Sequence, residues 1–129
     1  MFKRIDHIEI VPSNVEKTLD FYQTILGFNL KNRVQVDAPP MKEVIYLKLG
    51  DTMIEVISAK KPAMKSVEAW QVGYRAIALE VEDMEKAVEY LKERGIAIAR
   101  EPVDLGTSIR GEIRDPDGLT IELRKWKNE

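Results

Sequence analysis

The 129-residue chain has no cysteine, a single histidine and no long apolar run. Without cysteine there are no disulfides, thiolate nucleophiles, zinc knuckles or iron–sulfur clusters. The lone imidazole, His7, excludes chemistry that needs two from one chain, including HExxH zinc proteases and three-histidine metal sites. No stretch approaches the roughly 18 apolar residues of a membrane span. Met1-Phe2-Lys3-Arg4 runs straight into a strand-like segment with no signal-peptide core behind it. A cytoplasmic protein is expected.

A surplus of one charge sign is also missing. Twenty Lys+Arg against 22 Asp+Glu leave a net charge of −2, without the basic stripe of a nucleic-acid binder. Neither nucleic acid nor membrane is expected as a partner. The densest cationic run, Arg124, Lys125 and Lys127 around Trp126, reads as a solvated tail. What is present is 44% hydrophobic and 33% charged residues, the makeup of one ordinary globular domain. Its chemistry is left to carboxylates, one imidazole and, in an assembly, a second copy of the chain.

The chain repeats itself. Residues 4–28 read RIDHIEIVPSNVEKTLDFYQTILGF and residues 73–96 read GYRAIALEVEDMEKAVEYLKERGI. Placing His7 on Ala76 sets Ile8 on Ile77, Ile10 on Leu79, Glu16-Lys17 on Glu85-Lys86 and Phe21 on Tyr90. One deletion later Gly27 meets Gly95, and MIEVI (53–57) matches TIELR (120–124), with Glu55 on Glu122. Two modules, about 1–58 and 73–129, joined by a connector at 59–72, share one domain.

Each module opens with a strand and a helix. Ile8 and Ile10 alternate with His7, Glu9 and Val11, the period of a half-buried strand, and Pro12 ends it. Ser13-Asn14-Val15-Glu16 reads as a capping box; Val15, Leu19, Tyr22 and Leu26 follow at helical spacing up to Gly27. In the second module Asp83 is the N-cap, Met84, Val88 and Leu91 form the stripe, and Gly95 closes it. Strand-like runs follow at Ile45–Leu49, Met53–Ile57, Ile109–Ile113 and Leu119–Leu123, with a turn at Asp115-Pro116-Asp117-Gly118.

Strand parity carries the functional expectation. Ile8, Ile10, Ile54, Val56, Ile77, Leu79, Val81, Ile121 and Leu123 are set to face the helices. His7, Glu9, Glu55, Ala76, Glu80 and Glu122 then fall on the other face. Glu55 and Glu122 each stand between two apolar residues of a strand, a place where a charge needs a partner.

These four stretches, IDHIEIVPSNVEKTLDFYQTILGF, LKLGDTMIEVI, IALEVEDMEKAVEYLKERGI and IRDPDGLTIEL, resemble the vicinal oxygen chelate superfamily over nearly the whole chain. That family includes glyoxalase I, methylmalonyl-CoA epimerase, extradiol dioxygenases and bleomycin-resistance proteins. The resemblance implies an α+β fold, two βαβββ modules forming an open, cavity-enclosing mixed β-barrel. It further implies metal ligands on the first and last strand of each module: His7, Glu55 and Glu122 here, with Ala76 where the family usually has histidine.

One imidazole and two carboxylates suit a divalent metal (Ni, Co, Mn, Zn, Fe or Mg) with open positions for substrate oxygens. Glu80 and Glu9 are candidate substitutes for the absent ligand. The chemistry implied is that of a glyoxalase-like isomerase or lyase, or an epimerase, acting through an enediolate-type intermediate on a small carbonyl substrate or thioester, with Glu122 or Glu55 moving the proton. The alternative is a metal-free small-molecule binding protein similar to bleomycin-resistance members, with Tyr46, Lys48, Trp70, Tyr74, Arg75, Arg110 and Arg114 as candidate liners and Val36–Glu43 as a candidate lid. Members of this length are usually homodimers, some with sites shared between chains.

Overall fold

Strand, helix and three further strands follow one another twice along the chain. The computed structural model describes residues 1–128. The first set is β1 (Ile8–Ile10), α1 (Val15–Asp20), β2 (Asn29–Ala38), β3 (Met41–Leu49) and β4 (Thr52–Ala59). The second is β5 (Ala76–Glu80), α2 (Met84–Glu93), β6 (Arg100–Asp104), β7 (Ser108–Arg114) and β8 (Thr120–Trp126). Each set forms its own four-stranded mixed sheet, in the orders β1-β4-β3-β2 and β5-β8-β7-β6. The first and last strands of a set run parallel, and the other pairs are antiparallel. This is the α+β class and the βαβββ order that the resemblance implies. The chain divides into two compact units, Met1–Lys65 and Ser66–Glu129.

In the first unit the alternation of β3 and β4 sends Ile45, Leu47, Ile54 and Val56 into the core with Leu19, Phe21, Tyr22 and Phe28. After Asp20 the helix widens into a π-turn over Phe21–Ile25, with Leu26 N–H donating to Phe21 C=O. Gly27 follows at φ +83°, a conformation that side chains with a Cβ avoid. On the same face Arg33 of β2 donates to Glu43 of β3 at 2.6 Å and to Glu16 of α1 at 2.7 Å, tying the helix to the sheet. The capping box is not formed: Asn14, not Ser13, is the N-cap, its side chain accepting from Lys17 N–H, and Glu16 is committed to Arg33.

In the second unit Ile113, Ile121 and Leu123 are buried with Met84 and Leu91 of α2. Asp83 caps α2 by accepting from Lys86 N–H, as the sequence predicts. The Asp115 carboxylate closes the turn before β8 by accepting from Asp117 and Leu119 N–H.

Two further expectations are corrected. Val36–Glu43 is not an irregular surface loop; it is the tip of the β2–β3 hairpin, with strand up to Ala38 and again from Met41. The cationic run near the end is not a solvated tail: Arg124 and Lys125 lie within β8, and Lys127 Nζ donates to both oxygens of Asp104.

Candidate metal centre and its repeat-related counterpart

The parallel pairing of β1 with β4 sets Glu9 directly beside Glu55, and neighbouring strands lie about 4.8 Å apart. His7 precedes Glu9 by two residues and so shares its face. Its Nε2 lies 3.0 Å from Glu9 Oε2 and 3.1 Å from Glu55 Oε2. Its Nδ1 lies 2.8 Å from Asp6 Oδ2. Hydrogen bonds to Asp6 and Glu9 hold the imidazole above its ordinary pKa, and the bond to His7 holds the Asp6 carboxyl below its own. Glu55 is 7% exposed, so it requires these partners.

Tyr46 joins from β3. It stands directly across from Glu55 in the ladder, and its ring meets the imidazole edge-on at 6.3 Å between centroids. A hydrogen bond to Glu55 raises the phenol above its ordinary pKa. Asp6, His7, Glu9, Glu55 and Tyr46 thus form one connected group on the face turned away from the core.

These donors fit a divalent ion. One ligand atom from each of His7, Glu9 and Glu55 lies within 4.8 Å of the others. An imidazole with two carboxylates is a donor set for such ions, and the two glutamates balance the charge. Asp6 occupies the position from which an outer carboxylate orients a ligating histidine through its second nitrogen. Ala76, in the second unit, offers no donor, and Glu9 stands where a third ligand can be drawn from β1 itself.

The repeat-related carboxylate is partnered differently. Glu122 of β8 pairs in register with Ala78 of β5 and Glu112 of β7. Its Oε1 is 2.8 Å from Arg110 and its Oε2 3.0 Å from Arg124. Beside it Glu112, 1% exposed, takes Arg110 at 2.6 Å, Arg75 at 2.8 Å and Arg100 at 3.6 Å. Burial raises the Glu112 pKa, but the guanidiniums of Arg110 and Arg75 outweigh it and leave the carboxyl below its ordinary value. The same carboxylates hold Arg110 above its own ordinary value. This is an ion-pair lattice of four arginines and two glutamates.

Of the expected liners, Tyr46, Arg75 and Arg110 enter these two groups. Arg114 donates to Thr120 beside them, while Tyr74 is fully exposed. Glu80 stands beside Arg124 in the ladder and is exposed. The sequence pattern did not single out Asp6, Glu112 and Arg100, and it placed Arg124 only in the cationic run near the end. Arg110 and Glu112, like Glu122 and Arg124, sit two apart on their strands, a same-face charge alternation that is visible in RGE and ELR. A groove of about 600 Å³ beside α2, lined by Met84, Val88, Pro102 and Ile109, lies on the opposite side of the sheet from the lattice.

Residues 4–123 match the glyoxalase/bleomycin resistance protein/dioxygenase superfamily. A lactoylglutathione lyase of Neisseria meningitidis is 33% identical over 97% of this chain and 92% of its own length. A lactoylglutathione lyase of Escherichia coli O157:H7 is 27% identical over 97% and 94%. Among solved structures, a glyoxalase family protein from Enterococcus faecalis superposes with a TM-score of 0.80 at 28% identity, over 95% of this chain and 98% of that one. The chain belongs to the glyoxalase/bleomycin resistance protein/dioxygenase superfamily.

Proposed function

We propose that His7, Glu9 and Glu55 hold a divalent metal and that the protein is a glyoxalase-like lyase or isomerase acting on a small carbonyl substrate or thioester. The observation that carries this reading is the aim of one imidazole nitrogen at two carboxylates while Asp6 holds the other. The names of the lactoylglutathione lyase relatives support the reaction class. A divalent ion bound there supplies a Lewis acid that stabilises negative charge developing on adjacent substrate oxygens.

The chain's own residues do the rest. Asp6 accepts from Nδ1 and keeps Nε2 turned toward the glutamates. Tyr46 donates to Glu55 and fixes the buried carboxylate. Glu9, the exposed member, takes the ligand place that Ala76 cannot fill. Proton transfer beside the substrate carbonyl is assigned to Glu55. Glu122, with both oxygens engaged by guanidiniums, lies outside this ligand set. The reading includes a homodimer in the cytoplasm, the form the family resemblance implies; no helix among the described residues is long and apolar enough to cross a membrane.

The test combines metal content of gently purified protein, melting with added Mn²⁺, Co²⁺, Ni²⁺ and Zn²⁺, and turnover of the hemithioacetal of methylglyoxal and glutathione. A bound ion at 100 times its Kd raises stability by about 2.7 kcal/mol, and His7→Gln and Glu9→Gln should remove that rise. Melting that ignores all four ions would overturn the metal reading. It would select instead a metal-free binding protein, the reading favoured by Ala76 and by the arginine-bound state of Glu122.

A further inference from the structure

We propose that the polar face of the second sheet is a binding site for a compact oxyanion, a carboxylate or phosphate group. The site stands on the second unit alone and does not depend on the metal reading above.

Arg75, Arg100, Arg110 and Arg124 converge on only two carboxylates, Glu112 and Glu122. The group therefore carries an excess of two positive charges. Glu80 and Arg114, exposed at the strand ends of the same face, are one of each sign and leave that excess unchanged. Donors also outnumber acceptors: four guanidiniums present about twenty N–H groups, and two carboxylates present about eight acceptor sites.

The register makes the surplus harder to explain as a structural device. Arg110 stands directly opposite Arg124, and Glu112 directly opposite Glu122. Like charges placed opposite one another are destabilising, and a ladder arranged for stability alone would set Arg against Glu. This one groups two guanidiniums at one end, next to the buried hydroxyl of Ser108, which accepts from Arg124 at 2.9 Å. Arg110 and Arg124 keep 21% of their side-chain surface open, so the end of the lattice is reachable. Arg124 also lies over Trp126 and Arg75 over Trp70, at 5.1 and 4.9 Å from the ring centroids. Stacking of this kind restrains a planar guanidinium before any ligand arrives. A carboxylate or phosphate presented to this surface meets forked donors already in place and neutralises the excess.

The test is calorimetric titration of metal-free protein with succinate and with inorganic phosphate, at low and high salt. Saturable binding of one anion per chain, weakened by salt, is expected. Arg75→Gln and Arg100→Gln should each weaken it about tenfold, and Arg75→Lys less, because it keeps the charge and loses the fork. Both positions are more exposed than Arg110 and leave Glu112 paired, and Arg100 sits at the longer 3.6 Å contact, so a variant that misfolds at one is backed by the other. His7→Gln should bind the anion as well as the parent does, which separates this site from failure of the metal centre. Tighter succinate assigns a carboxylate ligand, and tighter phosphate a phosphorylated one. Absence of saturable binding, binding unchanged in both glutamine variants, or its loss in His7→Gln would each overturn the proposal.

Discussion

Glu55 and Glu122 hold equivalent positions in the two halves of the repeat, yet their counter-charges differ in kind. Glu55 faces the titratable imidazole of His7 at 3.1 Å, and Glu122 is gripped by the permanently charged Arg110 and Arg124 at 2.8 and 3.0 Å. A carboxylate paired with imidazole can release its proton-bearing partner in favour of a metal. One bound to two guanidiniums gains nothing comparable by doing so, because arginine does not give up its charge.

The two glutamates should therefore respond differently to a neutral substitution. Glu55→Gln should abolish the metal-dependent rise in melting midpoint. Glu122→Gln should leave that rise in place while lowering the metal-free midpoint, since it strips Arg110 and Arg124 of their shared partner. Paired melting curves with and without Mn²⁺ check this, and the reverse pattern would return Glu122 to the ligand set.

Acid should act through Glu112. Its folded-state pKa lies below its ordinary value, so its contribution is complete above the unfolded-state value near 4.5 and is lost as pH falls through the lower folded value. Stability of the parent should drop more steeply between about pH 5 and pH 3 than that of Glu112→Gln. At neutral pH, Glu112→Ala should cost about 3 kcal/mol, the lower end of the range for removing one partner of a buried ion pair, because the arginines left behind are partly solvated. Urea titrations at several pH values measure both.

The first helix is held at its start by Asn14. Asn14→Ala should destabilise the protein by about 1 kcal/mol, the usual cost of losing a capping side chain. Denaturant unfolding checks it. A cost indistinguishable from zero would mean that the bond from Lys17 N–H contributes nothing net.

Much of the local structure could be read from residue order alone. The apolar stripes of α1 and α2, the cap at Asp83, the turn at 115–118 and strands β3, β4, β7 and β8 are all marked by periodicities that depend on near neighbours. Strands β2 and β6 left no such mark. Their residues are almost all exposed or half-exposed, so no alternation of apolar and polar residues is required of them. The N-cap was misplaced by one residue for a related reason. Ser13 with Glu16 satisfies a capping box on paper, but Glu16 is drawn off to Arg33, 17 positions away in the chain.

The site divides along the same line. The repeat fixes His7 and Glu55 as members of one face and Ala76 as the empty counterpart, because parity along a strand is a property of sequence spacing. Which charges then meet depends on strand register. The parallel pairing of β1 with β4 puts Glu9 beside Glu55; the antiparallel pairing of β7 with β8 puts Arg110 within reach of Glu122. Spacing within a strand determined the face each side chain occupies. Only the tertiary structure decided its partner, because hydrogen-bonded strands bring together residues that no local period relates.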